Sequence, residues 1–167
     1  MEKINLSAAA TAAITDILRN EVKTAIGGKA LDFGNCSFPV TNALSADLEY
    51  LAFTDKSEEF LNGIRESAEA ADIHLISDRE LEEDCYFGRF HLVYTVFGFH
   101  DLPHLVDEIM RLRRLIRKGG RMVIIDFDEN GFADEYIKQL KRCGFTAFSK
   151  DTFTIDGISA FILRTEK

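Results

Sequence analysis

Cysteine is scarce in this sequence, and its few copies are far apart. Cys36, Cys85 and Cys143 are odd in number and show neither the paired spacing of a zinc site nor the spacing of a disulfide framework. The sequence therefore predicts no metal site and no disulfide-stabilised secreted fold. A reducing, cytoplasmic setting is expected instead.

Basic residues are also in the minority. Lysine and arginine total 20 against 28 aspartates and glutamates, which gives a formal net charge of −8. Such a chain repels nucleic acid and anionic membranes unless a local patch overrides the total. The alanine-rich N-terminal run, with Glu2, Asp16 and Glu21, lacks the basic start of a signal peptide and the length of a membrane span. We expect a small-molecule partner, with no nucleic acid and no membrane.

Repeats, low-complexity tracts and linker-like segments are missing as well. A chain of 167 residues, 46% of them hydrophobic, is long enough to bury one core. We therefore expect a single domain, made of an N-terminal helix within residues 1–28 and an α/β unit over residues 29–167.

Helix and strand patterns alternate along the chain. Short apolar runs predict strands at 29–33, 48–54, 73–77, 90–96 and 121–127. Caps and four-residue apolar spacing predict helices at about 6–26, 39–46, from 57, from 101 to 119, and at 133–143. Two further strands, at about 146–154 and 158–165, flank Asp156-Gly157, a pair typical of a tight hairpin. This order predicts an α/β fold that ends in an antiparallel pair.

The turn after the first strand is poor in glycine. Lys29–Phe33 has the pattern of a buried strand, and Gly34 is the single glycine before the helix-start signal Ser37-Phe38-Pro39. In doubly wound α/β folds this turn contacts a nucleotide-like ligand, because backbone N–H groups and the helix dipole point at it. We therefore expect the ligand site here.

The predicted strand ends resemble those of a known family, the class I S-adenosylmethionine-dependent methyltransferases that act on small molecules. Leu31-Asp32-Phe33-Gly34 is similar to the start of the family's cofactor loop. Asp55 stands at the spacing of the family's ribose-binding acid, and Asp78 resembles the acid beside the adenine. Residues 90–93 and 99–102 resemble the fourth-strand motif, and residues 115–121 the turn before the fifth strand.

The resemblance implies a fold, a cofactor and a site. The expected fold is a Rossmann-like, doubly wound, mostly parallel sheet of seven strands, the last one antiparallel, with helices on both faces. The expected cofactor is S-adenosylmethionine, and the expected reaction is methyl transfer to a small molecule. The residues implied in cofactor binding are Asp32, Phe33, Gly34, Asn35, Asp55, Lys56, Asp78, Arg79, Thr95 and Val96.

Two bulkier residues distinguish this chain from the family pattern. Cys36 and Phe38 stand where the second and third glycines of the loop are usual, and a glycine there lets the backbone approach the ligand. The ring of Phe38 could fill part of the cofactor site. Two alternatives follow: a catalytically inactive methyltransferase-like domain that acts as a binding or assembly module, and an enzyme that uses the same scaffold for another nucleotide-like ligand.

Methyl transfer mainly requires the protein to align the methyl acceptor with the methyl group. Methyl transfer is an in-line displacement, sometimes assisted by a base. His100 is the candidate base, with a solvated histidine at a helix start as the alternative. Asp32 and Asp55 also have an alternative role, as strand-end and helix-capping acids. The N-terminal helix is the candidate lid, and a homodimer would be another source of a cover.

Overall fold

The computed structural model describes residues 5–24, 28–34, 38–66, 72–129 and 131–167. Within these residues the helices are α1 (Ala8–Thr24), α2 (Phe38–Leu44), α3 (Glu58–Glu66), α4 (Leu105–Leu115) and α5 (Phe132–Arg142). The strands are β1 (Lys29–Phe33), β2 (Tyr50–Asp55), β3 (Ile73–Ser77), β4 (Phe90–Val96), β5 (Ile116–Phe127), β6 (Thr146–Ile155) and β7 (Ile158–Glu166).

The strands form one seven-stranded sheet in the order β3-β2-β1-β4-β5-β7-β6. The first five strands pair in parallel, and β7 pairs antiparallel with both β5 and β6. The chain runs outward from β1 to β3 and then returns to β4 on the other side of β1. This reversal between β1 and β4 is the topological switch point, where ligands bind in open α/β sheets.

Helices cover both faces of the sheet. On one face the buried apolar residues of α1, α2 and α3 pack with those of β1, β2 and β4. On the other face α4 and α5 pack through residues such as Leu112 and Leu140. The predicted doubly wound sheet with one antiparallel strand is therefore confirmed.

Helix α1 is a layer of this domain. Its stripe Ala10, Ile14, Leu18 and Val22 is at most 5% exposed and belongs to the first core. Two polar contacts fix its ends to the last hairpin: Ser7 donates from N and Oγ to Asp156 (2.9 and 2.7 Å), and Arg164 Nε donates to Glu21 Oε1 (2.5 Å). Ser7 also caps the helix, since its Oγ accepts a hydrogen bond from Ala10 N at 3.0 Å. A role of this helix as a lid stays a prediction.

Two predicted boundaries near β4 and β5 are wrong. Helix α4 begins at Leu105 rather than at Asp101, and it ends at Leu115 rather than near Gly119. Strand β5 already begins at Ile116, which pairs with Phe90 across an irregularity in the β4–β5 register. The segment beyond α4 is extended because it gains long-range backbone partners: Gly119 N donates to Lys167 O and Lys167 N donates to Gly120 O.

None of the helices in the described part of the chain combines the length and the apolar character needed to cross a membrane.

Candidate functional site

A cleft opens at the carboxyl ends of the parallel strands, beside the switch point between β1 and β4. Its volume is about 190 Å³. One wall consists of the ends of β1, β2 and β3: Phe33, Gly34, Thr54, Asp55, Lys56 and Asp78. The opposite wall is the connection from β4 to α4: Gly98, Asp101, Leu102 and Pro103. Small-molecule sites usually have volumes of ~300–1,000 Å³. The volume enclosed by these residues is therefore sufficient for only part of a small-molecule ligand.

Two buried oxygens in this cleft lack a hydrogen-bond partner among the described residues. Asp55 is 6% exposed; its Oδ1 accepts from Ser57 N at 2.8 Å, while its Oδ2 accepts nothing. Thr54 is 1% exposed, and its Oγ1 is likewise unpaired. A buried polar atom left unsatisfied costs roughly 1–3 kcal/mol, so hydroxyl groups of a ligand would stabilise this part of the cleft.

Gly34 is required by the packing of β1 against β2. A Cβ at this position would lie 2.6 Å from the Phe53 ring and 2.8 Å from Thr54 O. The Gly34 N–H donates to that same carbonyl at 3.0 Å. The glycine therefore allows β1 to pair with β2 up to the edge of the cleft.

Phe38 does not occupy the cleft. It is 8% exposed and packs edge-on against Phe53, with ring centroids 5.3 Å apart. The expectation that its ring fills part of the cofactor site is therefore wrong, because the first turn of α2 directs the ring into the core. Asn35 and Cys36, the other residues of this turn that the sequence singled out, lie outside the described residues.

Asp32 lies beneath the cleft and not in its lining. Its carboxylate is fully buried and accepts a hydrogen bond from Thr41 Oγ1 of α2. Thr41 Oγ1 also accepts from the Tyr94 hydroxyl at 3.4 Å. Burial, together with the charge of Asp32, holds the pKa of Tyr94 well above its ordinary value. These polar contacts join β1, β4 and α2 below the cleft.

An ion-pair network closes the outer side of the cleft. Lys56 Nζ lies 3.0 Å from Glu108 Oε1, and Arg111 pairs with Asp78 and, at 3.2 Å, with Glu108. Arg111 Nε is also 2.9 Å from Glu82 Oε1. The guanidinium stands 5.7 Å from the centre of the Phe33 ring. Helix α4 is thereby fixed over the ends of β2 and β3.

The β4–α4 connection is held by a buried carboxylate, Asp126 at the end of β5. Its Oδ2 accepts from the backbone N–H groups of Phe99 (3.2 Å) and His100 (2.9 Å) and from the Tyr136 hydroxyl (3.0 Å). Burial raises the pKa of Asp126, while the charge of His100 and the hydrogen bonds from Phe127 N, the Tyr136 hydroxyl and His100 N oppose the rise. Phe97, just before the bound segment, has φ of 51°, an unusual value for a bulky side chain. Asp126 stabilises this strained turn.

His100 stands beside the cleft and not in its lining. Its Nδ1 is 3.0 Å from Asp126 Oδ1, and its Nε2 is 3.4 Å from Asp101 Oδ2. The ring packs edge-on against Phe127 at 4.7 Å. Through Asp101, which does line the cleft, His100 is one side chain away from a ligand.

The structure brings together only some of the predicted site residues that it describes. Phe33, Gly34, Asp55, Lys56 and Asp78 meet in the cleft. Thr95 and Val96 are fully buried in β4, and Arg79 is exposed outside the lining. Sequence reasoning missed Thr54, Asp101 and Asp126; the available signal was that each ends or follows an apolar strand. Among the described residues, no group of three or more His, Cys, Asp or Glu side chains is placed to hold a metal ion.

Comparison with known sequences gives no assignment. No model of a known protein family matches the chain, and no curated protein matches it either.

Comparison with solved structures gives a consistent fold. The chain is similar to the (4+2)-cyclase SpnF, with a TM-score of 0.79 and 11% identity over 100% of this chain and 84% of that one. It is similar to 1,6-didemethyltoxoflavin-N1-methyltransferase of Burkholderia thailandensis, solved with 1,6-didemethyltoxoflavin and S-adenosylhomocysteine (TM-score 0.72, 18% identity, 95% and 78% covered). It is also similar to an S-adenosylmethionine-dependent methyltransferase of Mesorhizobium loti (TM-score 0.71, 14% identity, 98% and 100% covered). The fold is therefore that of the class I methyltransferases.

Proposed function

We propose that this protein binds S-adenosylmethionine in the cleft and transfers its methyl group to a small molecule. The observation that carries the proposal is the pair of unsatisfied buried oxygens, Thr54 Oγ1 and Asp55 Oδ2, at the carboxyl end of β2. The two hydroxyls of a ribose are donors of the kind these oxygens lack. Methyltransferases of the same fold have been solved with S-adenosylhomocysteine, the demethylated form of that cofactor.

The residues present fit an adenosyl group. Asp55 and Thr54 would hold the ribose, and Gly34 leaves the edge of β1 free of a side chain. Phe33 would form the wall beside the base, and the Arg111 guanidinium stands 5.7 Å from the centre of its ring. Phe38, the bulkiest departure from the family pattern, stays in the core and leaves the cleft open.

The charges of the cleft favour this ligand over a nucleoside phosphate. Among the described residues that line the cleft, Lys56 is the one basic residue, and its side chain already pairs with Glu108. A phosphate group would therefore meet three aspartates, Asp55, Asp78 and Asp101, with no unpaired cation in the described lining. This argues against the alternative of another, phosphate-bearing nucleotide on the same scaffold.

His100 is our candidate for the base that receives a proton from the methyl acceptor. When Nδ1 donates to Asp126, Nε2 of the neutral ring is the atom that can accept a proton, and the imidazolium formed in this way would be stabilised by Asp101 Oδ2, which lies 3.4 Å from Nε2. Bound S-adenosylmethionine would supply an electrophilic methyl group, so the protein needs only to align the acceptor and, where it is protonated, to take its proton. The cytoplasmic setting, the homodimer and the absence of nucleic-acid binding remain predictions.

Isothermal titration calorimetry tests the proposal directly. We expect S-adenosylmethionine or S-adenosylhomocysteine to bind with micromolar affinity or better, and Asp55→Ala to weaken binding by at least about tenfold, the loss of a hydrogen bond to a charged group. Asp72→Ala is the matched control, since Asp72 is an exposed acid at the opposite, amino end of the strands.

The outcome separates the proposal from its alternative. Lack of binding to the wild-type protein would contradict the proposal and favour a noncatalytic binding or assembly module. Binding that survives Asp55→Ala unchanged would place the ligand elsewhere.

A further inference from the structure

Helix α4 carries a small apolar patch on its solvent-facing side. Val106 and Met110 are the two exposed large hydrophobic side chains among the described residues, with exposed fractions of 37% and 56%. They are four residues apart on the same helix, so they adjoin on one face. Single exposed hydrophobic residues are common and need no explanation. Two adjoining ones, on a surface that is otherwise polar wherever the chain is described, indicate a face that a partner covers.

A groove beside this patch is also open. Its volume is about 290 Å³, and it lies between the start of α4 and the neighbouring helix α5. Two of its lining residues, Asp107 and Glu135, are exposed acids. Glu135 pairs with Lys138 of its own helix at 3.2 Å, whereas Asp107 has no ion-pair partner among the described residues. The groove therefore presents negative charge to whatever covers Val106.

The exposed charges of α4 change sign along the helix. The first turn carries Asp107, and the last turn carries Arg113 and Arg114. Arg114 is 58% exposed; its guanidinium lies over the Phe87 ring and 4.0 Å from Glu82. A second copy of the helix that runs in the opposite direction would bring its basic last turn against this acidic first turn. The face is therefore complementary to itself, as a two-fold interface requires.

The position of Met110 sets the register of such a pair. Asp107 precedes it by three residues and Arg114 follows it by four, which is about 4.5 Å and about 6 Å along a helix axis. At 3.6 residues per turn, both lie on the same side of Met110, displaced around the helix by about 60° and about 40°. A two-fold axis at Met110 reverses the direction of the helix and leaves this side unchanged. Asp107 of each copy then lies beside Arg114 of the other.

We propose that this protein forms a homodimer in which two α4 helices pack antiparallel around a two-fold axis at Met110, with Asp107 of each copy paired to Arg114 of the other. The apolar contact is small, so the dimer is weak and exchanges with the monomer. The last turn of the second helix lies beside the start of α4, which follows the cleft-lining Leu102 and Pro103. Dimerisation therefore supports this wall of the cleft, whatever ligand the cleft binds.

Sedimentation velocity over a series of protein concentrations tests this interface. We expect the full chain to change from monomer to dimer between low and high micromolar concentrations. Met110→Lys should weaken the dimer by at least about thirtyfold, as expected at the centre of an interface. Circular dichroism of this variant should match that of the wild-type protein, because Met110 is exposed.

A charge exchange tests the antiparallel register. Asp107→Arg or Arg114→Asp alone should weaken the dimer about tenfold, because each substitution removes two exposed ion pairs at once. The variant that carries both substitutions should recover the wild-type dissociation constant. Asp134→Arg is the matched control, since Asp134 is an exposed acid in the first turn of α5 and does not line the groove.

Each contrary result overturns the inference and leaves the proposed function standing, because titration with S-adenosylmethionine does not depend on this face. A protein that stays monomeric up to millimolar concentrations would not use the face for a second copy. A dimer that Met110→Lys does not weaken would use another surface. Single reversals that weaken the dimer without recovery in the double variant would exclude the antiparallel register. An equal effect of Asp134→Arg would assign the weakening to net charge.

Discussion

A Cβ at position 34 would lie 2.6 Å from the Phe53 ring and 2.8 Å from Thr54 O. Phe53 cannot move away, because it is fully buried and in edge contact with Phe38 and Phe60. The glycine that the sequence associates with a ligand is thus needed by the sheet itself. Its presence alone is weak support for cofactor binding, and the unpaired Thr54 and Asp55 oxygens are the stronger evidence.

Gly34→Ala should lower the free energy of unfolding by about 1–3 kcal/mol, the usual cost of overpacking a core. Chemical denaturation measures the change. Gly63→Ala provides the control, because a Cβ at Gly63, an exposed position within α3, would meet no atom within 4 Å. That variant should be more stable than the wild-type protein by about 0.5–1 kcal/mol through helix propensity. A Gly34→Ala protein as stable as the wild type would contradict this account.

Asp126 shows why part of the site could not be predicted from the sequence. Its role depends on donors from Phe99, His100 and Tyr136, which are up to 27 residues away in the chain. The sequence shows only an acid at the end of an apolar run. By contrast, the position of Asp55 at the end of β2 was predicted from the order of strands and turns, while its role in a cofactor site was implied by the family resemblance and stays a prediction.

At the scale of elements, helix α4 determines the shape of the cleft. Arg111 is 16% exposed and contacts carboxylates on three segments: Asp78 after β3, Glu82 in the following turn, and Glu108 on its own helix. Glu108 in turn holds Lys56 after β2. Arg111 therefore links the helix to the end of β3, and Glu108 links it to the end of β2.

Replacing Arg111 by Ala should leave these carboxylates without their shared cation. We expect the free energy of unfolding to fall by about 1–3 kcal/mol, and hydrogen exchange to become faster in residues 78–82 and 105–111. Arg114→Ala is a suitable control on the same helix. Its side chain is 58% exposed and lies 4.0 Å from Glu82, so its loss should cost less than about 1 kcal/mol. Equal effects of the two substitutions would show that Arg111 is not the link.

The elements also show where pattern-based prediction is accurate. Strands β3 and β4 have the predicted bounds, because each is a short apolar run delimited by polar residues. The hairpin is present as predicted, with Asp156 and Gly157 at φ of 49° and 77°. The start of β5 was misplaced because its first residues are extended only through pairing with Phe90 and Lys167, which no local pattern reveals.

For the molecule as a whole, the N-terminal helix is part of the structure that forms the cleft. Its apolar stripe shares a core with β1, β2 and β4, and Glu21 joins it to Arg164 and, at 3.6 Å, to Arg121. Removal of a helix that only covers a ligand would leave the remaining sheet folded. Removal of a helix that forms a layer of the domain would not leave the remaining sheet folded.

We expect a chain that begins at Gly28 to lose cooperative thermal unfolding, because one face of the central strands would be exposed to water. Circular dichroism during heating, together with binding of a hydrophobic dye, measures this. The matched control is Asp16→Ala in the full-length chain, which removes an exposed ion pair with Arg19 and leaves the apolar stripe intact. A shortened chain that unfolds cooperatively and has lost only ligand affinity would support a lid instead.

The position of β7 in the sheet determines when its neighbouring strands can pair during synthesis. This strand follows β6 in the chain but lies between β5 and β6, so β6 has no neighbour in the sheet until β7 arrives. During synthesis the edge of β5 therefore stays open until the hairpin has emerged, and an open strand edge is a place where wrong strand pairing can occur.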